Sequence, residues 1–461
     1  MITNLFFNNR ESMKRDLFTF KKTFAGGIHL PDFKSSTSNL TIEDSSLPQK
    51  VILPLLSYGA KLLNTQVVVG EEVKTGQLIA TSNEFISAPI YASISGRITE
   101  ITDLPHPDFG EAKSIVIESD SKDEKGYNLK ERDYRSLSSD EIRKIIKDSG
   151  IVGLGGASFP TYVKFTIPED KHIDSFIINL CECEPYLTVD YRIALEMPDE
   201  IFKGIEVVLK ILNIEDAYIA IEDNKQEAID VLNEKAKAYP QVKVVVLRTK
   251  YPQGEEKQLI RAVLKRVVPK GKLPLDVGVV VDNVQTVLAI YEAVLFNKPL
   301  YERIITVTGE AIKEPKNLRI RIGTPLHHII KECGGITSDE VEIIFGGPMM
   351  GTAVDNLEVP ILAGTSGVLV LPKRKIDLQT ESPCIRCGRC VEVCPMRLLP
   401  TEINKAVENK QWDLLDELNI SECIECGSCA YICPSKIPLV KRIKEGKEVL
   451  TKRKVKRNSK V

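Results

Sequence analysis

Apolar and polar positions change rhythm several times along the chain. From Leu53 to about Glu118 they alternate in short runs broken by glycine, as in VVVGEEVKTGQLIA and APIYASISGRITEI, the period of two that half-buried strands impose. Residues 119–134, SDSKDEKGYNLKERDY, carry charge without a period and read as a linker. From Ser139 the pattern mixes helices at EIRKIIKDSG and IFKGIEVVLKILN with apolar strands at SFIINL and KVVVL, so an α/β unit is expected. Short strands return over residues 301–371 at TVTG, LRIRIG, EIIFGG and VLVL, around one helix at PLHHIIKECG. Between about Pro400 and Leu418, the residues Ile403, Ala406, Val407, Trp412, Leu414, Leu415 and Leu418 recur near a 3.6 period and predict helix.

A chain of 461 residues has room for about three domains. With 43% hydrophobic and 27% charged residues it is expected to fold as a soluble protein, which excludes wholesale disorder and collagen-like repeats. No apolar run reaches the length of about 18 residues that a membrane-spanning helix needs. The opening MITNLFFNNRESMKRD lacks the apolar core and small-residue cleavage site of a secretory signal, so a cytoplasmic setting is expected. The net charge of −2 conceals an uneven distribution, because residues 441–461 hold ten Lys and Arg against Glu445 and Glu448. This stretch reads as a basic tail, either solvated or engaged with anionic lipid, nucleic acid or an acidic partner.

Eleven cysteines without an export signal point to metal or redox chemistry rather than a disulfide framework. Eight of them fall in two runs, Cys384, Cys387, Cys390, Cys394 before Pro395 and Cys423, Cys426, Cys429, Cys433 before Pro434. Each run is spaced C-x2-C-x2-C-x3-C-P, the bacterial ferredoxin spacing, in which the fourth cysteine ligates the other cluster. One [4Fe-4S] cluster is then expected on Cys384, Cys387, Cys390 and Cys433, the second on Cys423, Cys426, Cys429 and Cys394. Zinc, the alternative, favours two separated C-x2-C pairs per site. Cys181, Cys183 and Cys333 lack such spacing, and Cys333 reads as an ordinary buried thiol.

The segment Gly153-Leu154-Gly155-Gly156-Ala157-Ser158-Phe159-Pro160-Thr161 follows a predicted helix, whereas a dinucleotide fingerprint follows a strand. Its glycines admit a close approach of backbone N–H groups to phosphate, with Lys164 nearby to neutralise charge, or they make a tight, well-packed turn. Three further segments join it: Asn179-Leu180-Cys181-Glu182-Cys183-Glu184-Pro185, Tyr251-Pro252-Gln253-Gly254-Glu255-Glu256 and Asp282-Asn283-Val284-Gln285-Thr286. In order and spacing these four resemble the flavin- and NADH-binding subunit of respiratory complex I. The β-rich region resembles barrel-sandwich domains of the biotinyl and lipoyl type. It has Asn83-Glu84-Phe85 after its strand rather than a cofactor-bearing Lys, so it reads as a docking module and not a swinging arm. The whole chain, from AGGIHLPDFK through NLCECEPYLTVDYR, YPQGEEKQL, VDNVQTV and TVTGEAI to the cluster runs, resembles the RnfC family of peripheral subunits of Rnf ion-translocating ferredoxin:NAD oxidoreductases. Cobalamin reductases of bacterial microcompartments share these modules, but with the β domain near the C-terminus.

The resemblance implies a multidomain α/β chain. Its parts are a barrel-sandwich, lipoyl-like β domain over residues 20–130, a complex-I-flavoprotein-like α/β domain over 131–300, a β-grasp, SLBB-like domain over 301–372, a helical two-[4Fe-4S] ferredoxin-like domain over 373–440 and the basic tail over 441–461. It implies FMN held by Gly153, Gly155, Gly156, Lys164, Asn179, Tyr251, Gly254, Asn283 and Thr286, with Phe159, Glu184, Glu255 and Glu256 toward NADH or NAD+. For Glu182, Glu184, Glu255 and Glu256 a solvated acidic loop is the plainer alternative. Val152 and Leu154 stand where the complex I subunit has Arg, and Cys181 where it has Asp beside the flavin, which implies a weaker hold on FMN. Cys181 and Cys183 read either as packing groups or as neighbours of the flavin. No side chain is expected to act as a general acid or base. The implied partners are the membrane-embedded and ferredoxin-interacting Rnf subunits, reached by peripheral association at the cytoplasmic face of the membrane, with no nucleic acid. A flavin-free relay scaffold and a soluble corrinoid reductase are the competing functions.

Overall fold

The computed structural model describes residues 22–129, 131–373 and 380–458. The N-terminal stretch read for a signal and the last three residues of the basic stretch lie outside the described residues. The first unit packs a four-stranded antiparallel sheet, ordered Lys50–Pro54, Gly110–Ser119, Gly96–His106 and Glu72–Val73, against a three-stranded one, Asn64–Thr65, Leu78–Thr81 and Ile90–Tyr91. Alternation along these strands turns Val51, Leu53, Ile79, Ile98, Ile115 and Ile117 into one dry core. A short hairpin of Leu56–Ser57 and Lys61–Leu62 projects from it, with Tyr58 at its tip.

The α/β unit carries a parallel sheet in the order Val242–Leu247, Ala217–Glu222, Ser175–Leu180, Val279–Asn283. The first of these strands in the chain, Ser175–Leu180, thus lies inside the sheet, where connections diverge to either side. Its residues alternate in use: Phe176, Ile178 and Leu180 face the helices Ser139–Asp148, Pro198–Leu212 and Val284–Phe296, while Ile177 faces the helix Glu256–Leu264. Truncating one of these fully buried side chains to Ala removes about 2–5 kcal/mol.

The third unit is a six-stranded sheet with the helix Leu326–Glu332. Its edge strand, Ile42–Asp44, precedes the barrel sandwich in the chain and pairs in parallel with Asn317–Arg319. Three residues of IED carry too little period to announce this strand. The cluster unit contains the helices Pro400–Glu408 and Trp412–Glu417, where the 3.6 period placed them, and Leu439–Asn458. That last helix corrects the expected boundary at residue 440 and the picture of a free basic tail. Ile443 and Leu450 are buried among Ile403, Val407 and Leu415, and Arg442 bonds Glu381 and Glu408, each at 2.7 Å. Apolar anchors and acidic partners a helical turn or more apart convert a charge run into a packed helix.

Candidate functional site

The four motif segments meet at the C-terminal ends of the central strands. Asn179 and Asn283 are register partners on neighbouring parallel strands, at the point where strand order reverses and open α/β sheets offer a crevice. The Asn179 amide donates to the Gly254 carbonyl at 2.7 Å, and its oxygen accepts from the Cys181 N–H at 3.1 Å. Asn283 caps the helix Val284–Phe296 through the Gln285 N–H at 2.9 Å and donates to Asp190 at 2.7 Å.

The Gly-rich loop lies over this pair. Its Leu154 N–H donates to the Thr286 hydroxyl at 2.9 Å, and its Gly153 N–H to the Phe159 carbonyl at 2.8 Å. A side chain at Gly155 would stand 3.1 Å from the Asn283 Cβ, so glycine permits the close approach. Gly155, Gly156 and Ala157 are exposed, and among the described residues their N–H groups have no acceptor. Successive unpaired N–H groups on an exposed loop fit an anionic phosphate. The buried Arg303, from the strand Glu302–Thr308 of the β-grasp unit, braces this loop by donating to the carbonyls of Leu154 and Ala363. Arg303 was not singled out in the sequence, because nothing local in RIITVTG points 149 residues back to the loop.

Other motif residues turn elsewhere. The Lys164 ammonium donates to the Val281 carbonyl at 2.7 Å and Asp282 at 3.0 Å, with Glu256 at 3.9 Å. Burial alone would lower its pKa, but Asp282 and Glu256 outweigh burial and hold it above the ordinary lysine value. This lysine, expected to face phosphate, is tied within the chain. Glu255 caps the helix Glu256–Leu264 by accepting from the Gln258 N–H at 3.0 Å. Both Glu184 oxygens are taken by the β-grasp loop, accepting from Met349 N–H at 3.0 Å and Met350 N–H at 2.9 Å. Burial pushes Glu184 up to about 7, against the opposing pull of these N–H groups. Cys181 is a packed thiol whose Sγ lies 3.4 Å from the Ala220 carbonyl. Phe159 is half-buried, its ring 5.0 Å from that of Tyr58 on the barrel-sandwich hairpin.

Tyr251 connects this crevice to the cysteines. Its backbone pairs with Ile28, and its hydroxyl donates to the Cys426 carbonyl at 2.7 Å. Around that contact Cys183, Met349, Ile28 and Ile424 form a small apolar cluster. The N-terminal segment closes the same region: Gly27 N–H donates to the Val393 carbonyl at 2.7 Å, and a side chain at Gly26 would stand 2.7 Å from the Cys394 carbonyl. Lys257 pairs with Glu422 at 3.3 Å.

The two cysteine runs exchange their fourth members. Cys384, Cys387, Cys390 and Cys433 line one cavity of about 420 Å³. Cys394 lies with Cys423, Cys426 and Cys429, whose thiols are raised first by burial and then by their neighbouring sulfurs. Backbone N–H groups approach the sulfurs of Cys384, Cys394 and Cys423 at 3.3–3.4 Å, the kind of contact that tunes an iron–sulfur cluster. Among the described residues no three His, Cys, Asp or Glu converge on a point that would hold a single ion; these thiols surround a volume, which fits a cubane. Cys384 and Cys387 are exposed, whereas Cys426 and Cys429 are buried.

Residues 22–122 match the RnfC barrel sandwich hybrid domain, 146–292 the Nuo51 FMN-binding domain, 304–353 the SLBB domain and 383–437 the 4Fe-4S dicluster domain. The chain is 49% identical over 384 residues, 83% of its length and 84% of the relative's, to a subunit of the proton-translocating ferredoxin:NAD(+) oxidoreductase complex of Clostridium ljungdahlii. It is 42% identical over 433 residues, 94% of its length and 98% of the relative's, to a subunit of the Na(+)-translocating ferredoxin:NAD(+) oxidoreductase complex of Acetobacterium woodii. Identity to a subunit of the ion-translocating oxidoreductase complex of Rhodobacter capsulatus is 38% over 385 residues, 83% of this chain and 74% of that one.

Proposed function

The chain belongs to the RnfC family, subunits of the ion-translocating ferredoxin:NAD(+) oxidoreductases known as Rnf complexes, and from this premise we propose the path by which it moves electrons. It is an electron-transfer subunit of a multi-subunit oxidoreductase, with FMN, NAD and two [4Fe-4S] clusters as its redox groups. A bound flavin exchanges hydride with nicotinamide and single electrons with clusters, which reconciles two carriers of different electron number.

The residues divide the work. The N–H groups of Gly155, Gly156 and Ala157 receive the FMN phosphate, while Asn179, Gly254, Asn283 and Thr286 shape the crevice beneath the loop. Lys164 acts one layer behind, where it would neutralise the Asp282 carboxylate beneath the site. Phe159 and Glu256 stand on the NADH side, and Glu184 and Glu255 position the surrounding loops. Cys394, Cys423, Cys426 and Cys429 hold the cluster nearer the flavin. Cys384, Cys387, Cys390 and Cys433 hold the outer one.

The observation that carries this order is the Tyr251 hydroxyl on the Cys426 carbonyl, because Tyr251 belongs to the same short loop as Gly254 of the crevice. At the outer set, Ile385 is 66% exposed beside Arg386, an apolar and basic rim suited to an acidic, ferredoxin-like partner. Among the described residues no helix is long and apolar enough to cross a membrane. Because its relatives are subunits of ion-translocating complexes, we assign a peripheral position on membrane-embedded partner subunits, at the cytoplasmic face.

An anaerobic NADH titration of the cluster-reconstituted chain with added FMN tests this reading. Bleaching of both flavin and cluster absorbance is expected. Clusters that respond to dithionite but not to NADH, in a chain that binds no FMN, would leave only an electron relay.

A further inference from the structure

The barrel-sandwich domain reaches the Gly-rich loop from the side opposite the sheet. Tyr58, at the hairpin tip, meets Phe159 edge to face, with ring centroids 5.0 Å apart and planes at 83°. The loop after Thr81, where a carrier domain would present its lysine, packs instead on this same region, because the Phe85 ring lies 5.8 Å from Tyr162 and its carbonyl accepts from the Tyr162 hydroxyl. This face of the domain is thus turned onto its own chain.

Between the hairpin and the loop lies a cavity of about 330 Å³. Tyr58, Tyr91, His106 and Phe109 wall it on the barrel-sandwich side, and Gly156 to Ser158 of the Gly-rich loop on the other. Phe109 lies over His106 at 4.8 Å, and burial holds the His106 pKa below its ordinary value, so the ring is neutral near pH 7. Asp108 stands in the same wall and accepts from the Thr352 hydroxyl at 3.1 Å. Tyr58 is 44% exposed and Phe109 56% exposed, although both are large aromatic groups. Uncharged aromatic rings around a slot, with one carboxylate at hand, fit a flat heteroaromatic ring carrying an exocyclic amino group.

We propose that the barrel-sandwich domain supplies one wall of the dinucleotide site, with Tyr58 and Phe109 receiving the adenine of NADH while the nicotinamide lies toward the flavin crevice. This rests on the reading that NADH binds at the Gly-rich loop. The domain is then part of the substrate site, and Tyr58 is a binding residue drawn from a separate module some hundred residues upstream of Phe159.

The test compares NADH with reduced nicotinamide mononucleotide, which carries the same hydride but no adenosine. Ferricyanide reduction is followed with the full chain reconstituted with FMN and clusters, as wild type, Tyr58→Ala, Tyr58→Phe and Phe109→Ala. In Tyr58→Ala the KM for NADH is expected to rise about tenfold, as for loss of one aromatic stacking partner of a base, while the KM for the mononucleotide holds. Tyr58→Phe is expected to behave as wild type, and Phe109→Ala, on a separate hairpin, to move in the same direction as Tyr58→Ala. An unmoved KM for NADH in both alanine variants overturns the proposal. So does an equal rise for both donors, which would make Tyr58 a prop for the loop. A wild-type chain that binds FMN yet oxidises neither donor overturns the underlying NADH reading, and does so before any variant is made.

Discussion

Two cysteine sets, each built on a C-x2-C-x2-C triplet, occupy opposite surroundings. Cys394, Cys423, Cys426 and Cys429 are closed in by Tyr251, Met349 and the N-terminal segment, whereas Cys384 and Cys387 open to solvent beside Ile385. Spacing dictates how four thiolates are presented to a cubane. Burial, nearby charge and N–H groups tune its potential, and these differ because only one set rests on the α/β domain. The repeat thus yields an inner and an outer station from one local pattern.

The strongest way to break this comparison is to remove one station at a time. In Cys426→Ser, NADH-dependent bleaching of both clusters is expected to be lost, as the proposed path from the inner station to the outer requires. In Cys387→Ser, NADH is expected still to reduce the remaining cluster, seen by electron paramagnetic resonance, while transfer to a protein acceptor fails. The reverse outcome would invert the order.

A pH effect sharpens the contrast next. Glu184 fastens Met349 and Met350, and the Met349 carbonyl abuts Gly427 beside the inner set. Its pKa rises from 4.5 to about 7 because burial penalises the carboxylate. Its contribution to stability is therefore complete below pH 4.5 and is lost as the pH rises through 7, by on the order of 3 kcal/mol. Asp190, also raised to about 7 by burial, adds to the same slope. Denaturant unfolding between pH 5 and 8 is expected to show a shallower decline in Glu184→Gln than in wild type. Equal slopes would remove Glu184 as a cause.

The smallest effect is that of Tyr251→Phe, which deletes one hydroxyl and its bond to the Cys426 carbonyl. A loss of about 1 kcal/mol is expected, together with a spectral change confined to the inner cluster. A change confined to the outer one would contradict the assignment of Cys426.

Much of this was legible in the residues. The exchanged fourth cysteines follow from C-x2-C-x2-C-x3-C-P, and the strands SFIINL and KVVVL follow from their apolar runs. Less legible was the use of each acidic group. Glu184, Glu255 and Glu256 look alike as charges on turns, yet one fastens a loop, one caps a helix and one faces Lys164. The basic stretch from Lys441 misled for a related reason. Composition counts its cations, whereas Ile443 and Leu450 seat it on a core supplied by earlier helices. Deleting residues 441–461 to probe lipid binding would accordingly strip that core as well.

By itself the sequence determined the ligand types, their spacing and the order of the modules, because these depend on contacts within a dozen residues and on periodicities that each element carries alone. Only the tertiary structure decided which cysteine set faces the crevice of the parallel sheet, that Arg303 braces the Gly-rich loop and that Tyr58 overlooks Phe159. Those relations join residues 175, 149 and about a hundred positions apart, and no local pattern encodes them. They arise when separate cores dock, and shape, burial and hydrogen bonding between whole domains select one arrangement.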